Sequence, residues 1–163
     1  MATYPLPVHT SMTLAAADRL IDEVLAVRQK EGVHPLAVAV LDSGGNLVAF
    51  KREDGCGVLR YDVAFGKAWA ALGMGVPTRA LRDRMAEKRP TFLNALAVAS
   101  DGRFIPVPSG VLIMGDDGRA IGAIGISGDT SEKDEYCAIT AAKSLGMATE
   151  PAEINPEWRT AGG

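Results

Sequence analysis

Between Ala120 and Glu135 the chain reads Ala-Ile-Gly-Ala-Ile-Gly-Ile-Ser-Gly-Asp-Thr-Ser-Glu-Lys-Asp-Glu, an apolar run that stops at glycine and opens at once into acid-rich sequence. This junction constrains the fold more than any other segment. The apolar run fits a strand, and the oxygens that follow fit the start of a helix, where several backbone amides lack partners. Asp129-x-x-Glu132 has the spacing of a capping box, and Ser131-x-x-Asp134 is a looser version of it. Gly128 permits a turn that a side chain would forbid. On one reading the junction is a well-capped helix; on the other it carries chemistry.

The neighbouring segments extend the pattern in both directions. Leu14, Ala17, Ile21, Val24, Leu25 and Val27 follow a helical period that Gly32 closes. Leu36 to Leu41 and Leu47 to Phe50 are apolar runs separated by Asp42-Ser-Gly-Gly-Asn46, which predicts a β-hairpin. An alanine-rich helix is expected from Tyr61 to Leu72, then short helices from Pro77 to Glu87 and from Pro90 to Ala99. Phe104 to Val107 reads as an edge strand or extended loop, because Pro106 and Pro108 remove ladder donors. A second hairpin, Val111 to Met114 with Ala120 to Ser127, leads into a helix from Ser131 to Leu145.

Tight turns within each strand pair make the sheet largely antiparallel, so the fold class is α+β. Residues 1–12 read as a flexible N-terminal arm, 13–148 as a single domain and 149–163 as a tail in which Trp158 is placed to anchor on a neighbouring subunit. At 163 residues and 47% hydrophobic content, one sizeable core accounts for the chain.

Charge and composition exclude several function classes. A net charge of -3 gives no basic stripe for nucleic acid. The stretch from Arg79 to Arg89 is interrupted by Asp83 and Glu87, which predicts a solvated helix face with internal ion pairs. No run approaches the roughly 20 apolar residues of a membrane span, and no signal-peptide layout is present, so a cytoplasmic location is expected. Two cysteines and two histidines, widely spaced, argue against a disulfide scaffold or a histidine-rich metal centre.

Taken together, Leu41-Asp-x-x-Gly-x-Leu47, Arg52-x-Asp-Gly55, Lys67-Ala68, Ile121-Gly-Ala-Ile-Gly-x-Ser-Gly128 and Asp134-Glu135 resemble the haem-binding HbpS/GlcG family, which is related to the C-terminal domain of PduO-type corrinoid proteins. The resemblance runs from about Met12 to Leu145. It implies a profilin-like antiparallel sheet flanked by helices, assembly into homo-oligomers and, for some members, haem binding or iron-linked redox protection. Cys56 stands after Asp-Gly where such chains commonly carry alanine.

Haem iron takes histidine, thiolate, methionine or tyrosine ligands within an apolar pocket. His34, before Pro35, is the axial-ligand candidate, and His9 lies in the arm. Cys56 sits among glycines, where Arg52, Arg60 or Lys67 could lower its thiol pKa, but with no partnered histidine in the pattern it reads as a free surface thiol; Cys137 reads as core. Arg52, Asp54, Tyr61 and Lys67 come from the first hairpin-to-helix junction, and Ser127, Gly128, Asp129 and Asp134 from the second. If the strands ending at Arg52 and Ser127 lie side by side, these groups converge on one rim. Lys67 then braces the interior against Asp134 or Asp129, or it joins Arg52 in a pocket for a small carboxylate or a haem propionate. Three functions remain open: a haem-binding or haem-handling homo-oligomer linked to redox or iron stress, a catabolic enzyme on an acidic or carbonyl substrate using Lys67, Tyr61, Asp129 or Asp134, and a non-catalytic accessory protein.

Overall fold

A computed structural model describes residues 5–161. Helix α1 (Leu14–Glu31) is capped by Thr13, whose hydroxyl accepts from the Ala16 amide at 3.1 Å, and ends at Gly32 in the left-handed region with φ 69°. There follow β1 (Ala37–Asp42), β2 (Leu47–Arg52), α2 (Arg60–Met74), α3 (Thr78–Met85) and α4 (Pro90–Ala99). The chain then forms β3 (Gly110–Met114), β4 (Ala120–Ser127), α5 (Ser131–Ser144) and β5 (Ala148–Glu150). No helix among the described residues is long and apolar enough to cross a membrane.

The strands make one antiparallel sheet in the order β2-β1-β4-β3-β5, confirming the expected α+β class. Ala37 is in register with Arg52 on one side and with Ser127 on the other. The two strand ends are thus neighbours of a common strand, one step less direct than the side-by-side placement the rim hypothesis assumed.

Alternation along β1 and β4 divides the core. Val38, Val40, Ile124 and Ile126 face α1 and α5 among Leu20, Ile21, Val24 and Cys137. On the other face, Ala37, Ala39, Leu41 and Ala123 meet Ala64, Ala68 and Ala71 of α2. Small residues on both sides let the α2 backbone lie close against the sheet. At Gly125 the approach is so tight that a Cβ would overlap the Ala64 carbonyl oxygen.

At the periphery the extended-loop reading holds for residues 104–107, and the expectation for Trp158 fails. Residues 104–107 form no strand; Phe104 is buried against Ala70 and Leu81, and the Ile105 amide donates to the Gly66 carbonyl at 3.4 Å, so the segment serves as an extended strap over α2. Trp158 docks on its own chain, stacking on Tyr136 with ring centroids 3.6 Å apart and planes at 9°, while Arg159 lies over its ring and pairs with Glu31 at 2.7 Å. The strand β5 was not anticipated: three residues are too few to show a period. Met12 is buried in the α1/α5 core.

The close contact at Gly125 gives a direct test. Gly125→Ala forces α2 away from β4 and is expected to cost about 3 kcal/mol or more, read as a fall in melting temperature. Gly57→Ala, where a Cβ would meet nothing within 4 Å, is the control and leaves the melting temperature nearly unchanged.

Candidate functional site

The β4-to-α5 junction is held by carboxylates, in a different pattern from the one its spacing predicts. Thr130, not Asp129, is the helix cap, accepting from the Lys133 amide at 3.5 Å. Asp134 reaches back from the first turn to accept from the Gly128 amide at 3.2 Å and the Asp129 amide at 3.0 Å. The Asp129 side chain, 6% exposed, accepts from the backbone amides of His34 at 3.0 Å and Thr130 at 2.8 Å and from Lys133 Nζ at 3.1 Å. Burial pushes the Asp129 carboxyl up, but those donors outweigh it and hold it below its ordinary value. Gly128 is required by proximity, since a Cβ there would overlap the Pro35 carbonyl.

Beneath this turn lies Lys67, only 2% exposed. Its ammonium donates to the Ile126 carbonyl at 2.8 Å, the Ser109 hydroxyl at 3.0 Å and Asp134 Oδ2 at 3.5 Å. Three N–H donors meet three acceptors, so α2, the segment entering β3, the end of β4 and α5 are tied at one atom. Burial pulls the Lys67 ammonium down and pushes the Asp134 carboxyl up, and their mutual attraction opposes both shifts. Ser109 holds a non-glycine φ of 90°, and its own hydroxyl donates a hydrogen bond to the Ile126 carbonyl at 2.6 Å. Nothing in the sequence around Pro108-Ser-Gly110 shows that this hydroxyl points inward.

A second layer of ion pairs adjoins this one. Arg79 Nη1 meets Glu135 Oε2 at 3.0 Å, and Arg82 Nη1 meets Glu132 Oε1 at 2.7 Å. The face from Arg79 to Arg89 is therefore not simply solvated: its first two arginines cross to α5, although Arg82 also keeps a local partner in Asp83 at 2.8 Å. Glu135 is 1% exposed, its Oε1 has no partner among the described residues, and burial lifts its carboxyl to about 7 against the pull of Arg79. Sequence reading missed Glu132, Glu135, Arg79, Arg82 and Ser109 as one cluster, because α3 lies far along the chain from α5.

Outside the braced interior is an open rim. Arg60 Nη1 donates to Ser127 Oγ at 3.1 Å, and Cys56 Sγ lies 3.9 Å from the Ser127 carbonyl oxygen. Burial pushes the Cys56 thiol up and outweighs Arg60 and Arg52, which goes against the activated-thiol reading and leaves the free thiol that the lack of a partnered histidine favours. Cys137 is buried and pushed up to about 12, consistent with a core role. Arg52, Asp54 and the imidazole-bearing His34 are exposed, as is His9 in the arm. Tyr61 sits edge-on to Phe50 at 4.9 Å, and Val58 and Leu59 stand 81% and 68% exposed beside it. The structure thus separates the expected constellation: Lys67 and Asp134 are sealed within, Asp129 is occupied by three donors, and Arg52, Tyr61 and His34 remain reachable. Among the described residues no three His, Cys, Asp or Glu side chains are grouped to hold a metal ion.

Comparison with known proteins agrees with this architecture. The family model described as "Haem degrading protein HbpS-like" matches residues 12–143. An uncharacterized 15.0 kDa protein of Citrobacter freundii from the dhaT-dhaS intergenic region is 31% identical over 131 residues, covering 80% of this chain and 89% of its own. A double mutant of Streptomyces reticuli HbpS superposes with a TM-score of 0.71 at 28% identity, covering 90% of this chain and 94% of that one. The PduOC:heme complex gives 0.73 at 24% identity, covering 83% and 96%. The chain belongs to the HbpS-like family, and membership supports a haem-related function.

Two measurements test the cluster. Lys67→Ala strands the buried Asp134 carboxylate and is expected to lower unfolding stability by about 3–5 kcal/mol, measured by chemical denaturation. Because Glu135 rises from 4.5 to about 7 on folding, the folded chain holds more protons between those values. Its contribution to stability is thus present at low pH and lost as pH climbs through that window. Glu135→Gln removes that portion of the slope; a slope identical to that of the unsubstituted chain would contradict the assignment.

Proposed function

We propose that this member of the HbpS-like family binds haem as a homo-oligomer and handles it at the rim formed by the start of α2 and the ends of β2 and β4. The observation that carries the reading is the pairing of exposed apolar surface, Val58, Leu59 and Tyr61, with the cations Arg52 and Arg60. A tetrapyrrole offers the complementary surface: a flat apolar body with carboxylates along one edge. Arg52 and Arg60 would take the propionates through charge-assisted hydrogen bonds, and the apolar residues would cover the macrocycle. His34 is the axial-ligand candidate, its exposed ring making no hydrogen bond among the described residues while its backbone is pinned to Asp129. The Ser127-Gly128-Asp129 turn positions these groups, and Lys67 supports the turn from below. Bound haem would supply redox-active iron, fitting a part in redox or iron stress.

The enzyme alternative centred on Lys67 requires an amine that a substrate can reach. Lys67 is 2% exposed with every donor engaged, so its geometry favours the brace.

Haemin titration of the purified chain, followed by its visible spectrum in ferric and ferrous states, tests the reading. A saturable, stoichiometric Soret shift is expected. Loss of that shift in His34→Ala, with His9→Ala unaffected, would assign the ligand; Arg52→Glu should weaken binding by roughly tenfold. A weak, non-saturating change in the unsubstituted chain would mean adventitious association and sink the proposal.

A further inference from the structure

Helix α4 is the anomaly of the fold. Of its 10 residues only Thr91 and Asn94 are polar, yet none is buried. Leu93 and Leu96 pack partly against Leu81 and Phe104, while Phe92 and Val98 stand 42% and 79% exposed. An isolated helix of this length gains little from propensity alone and depends on covering its apolar surface. The residues leading into it add charge: Arg84, Lys88 and Arg89 are exposed, and no ion pair engages them among the described residues. Glu87 is the one carboxylate between them.

The same chain carries a surface of the opposite character. Met12, Ile113, Met114, Ile121 and Met147 line a groove of about 290 Å³ between the start of α1, the β3–β4 turn and the start of β5. Asp116 stands exposed at its edge, without an ion pair among the described residues, with Asp117 beside it. Flexible methionine side chains suit such a groove to an apolar guest of irregular shape. Met12, Ile121 and Met147 belong to the core on the α1/α5 face, whereas α4 packs with Ala70 and Phe104 on the α2 face. A chain therefore cannot place its own α4 in its own groove.

We propose that α4 of one copy docks in this groove of the next copy, with the cations at its N-terminal end set against Asp116. This rests on the homo-oligomer reading above and names the surfaces that build it. The occupant is a second copy because each surface lacks what the other has: an uncovered apolar helix with a basic edge, and an uncovered apolar groove with an acidic edge. Because the two patches lie on opposite faces of the sheet, the contact is heterologous, and repetition generates a ring if the rotation closes. Charge complementarity fixes the register, and apolar burial provides the affinity.

Light scattering on the full chain across a concentration series tests the docking, with circular dichroism confirming that each variant folds. The unsubstituted chain is expected to exceed the 17.1 kDa of one copy, and Phe92→Asp with Val98→Asp, at exposed positions, should return it to that mass. Arg89→Glu and Asp116→Arg should each raise the subunit dissociation constant by roughly tenfold or more. Combining them should restore most of the loss, because the charges are exchanged across the contact. An oligomer indifferent to Phe92 and Val98 overturns the docking while leaving the oligomer intact. Sensitivity at α4 without rescue by the exchanged charges overturns the groove as its partner. A single-copy mass throughout overturns the homo-oligomer reading, and the docking with it.

Discussion

A lysine with all three N–H bonds committed inside a protein is the constraint around which this structure is arranged. Lys67 enters from the most alanine-rich part of the chain, and α2 can carry it to the sheet only because Gly125, Ala123 and Ala37 leave room. Once there, the ammonium must be matched, since an unpaired charge in that setting costs several kcal/mol. Ser109, Ile126 and Asp134 match it, from the segment entering β3, the end of β4 and the start of α5. The strained backbone at Ser109 and the back-reaching carboxylate of Asp134 both follow from that requirement. Asp134 in turn holds the Gly128 and Asp129 amides, so the shape of the β4-to-α5 turn depends on a group buried beneath it.

This arrangement divides labour between interior and rim. The interior has charge without access: Lys67, Asp134 and Glu135 are each no more than 2% exposed. The rim has access and a mixture of apolar surface, cations and an imidazole. Membership of the HbpS-like family supports a haem-related function, and the rim proposed for it is the surface that the sealed Lys67–Asp134 pair leaves reachable.

Much of the fold was legible because its signals are local. The period of α1, the turn residues of both hairpins and Pro90 at the start of α4 each act within a few residues, and the elements appear where they should. The Lys67–Asp134 pair was also anticipated as one of two readings, from a lone lysine on an alanine-rich helix. What escaped were contacts that only packing creates. Arg79 and Arg82 carry the spacing of a solvated face, yet the position of α3 turns them toward α5. Cys56 has the charged neighbours of an activated thiol, but burial prevails over them. Trp158 reads as an anchor for a neighbouring subunit, whereas the tail folds it onto Tyr136 of its own chain. In each case the residue types were readable and the distance between elements was not.

The central claim is that haem meets the rim while the lysine beneath it acts as a brace. Hydrogen exchange read by mass spectrometry, with and without haemin, tests this most directly. The account predicts that added protection concentrates in residues 50–61 and 33–36, with the interior segments around Lys67 and Ser109 as slow to exchange before haemin as after. Protection gained instead at residues 66–71 and 107–110 would show that the interior opens to admit the ligand, and would contradict the account.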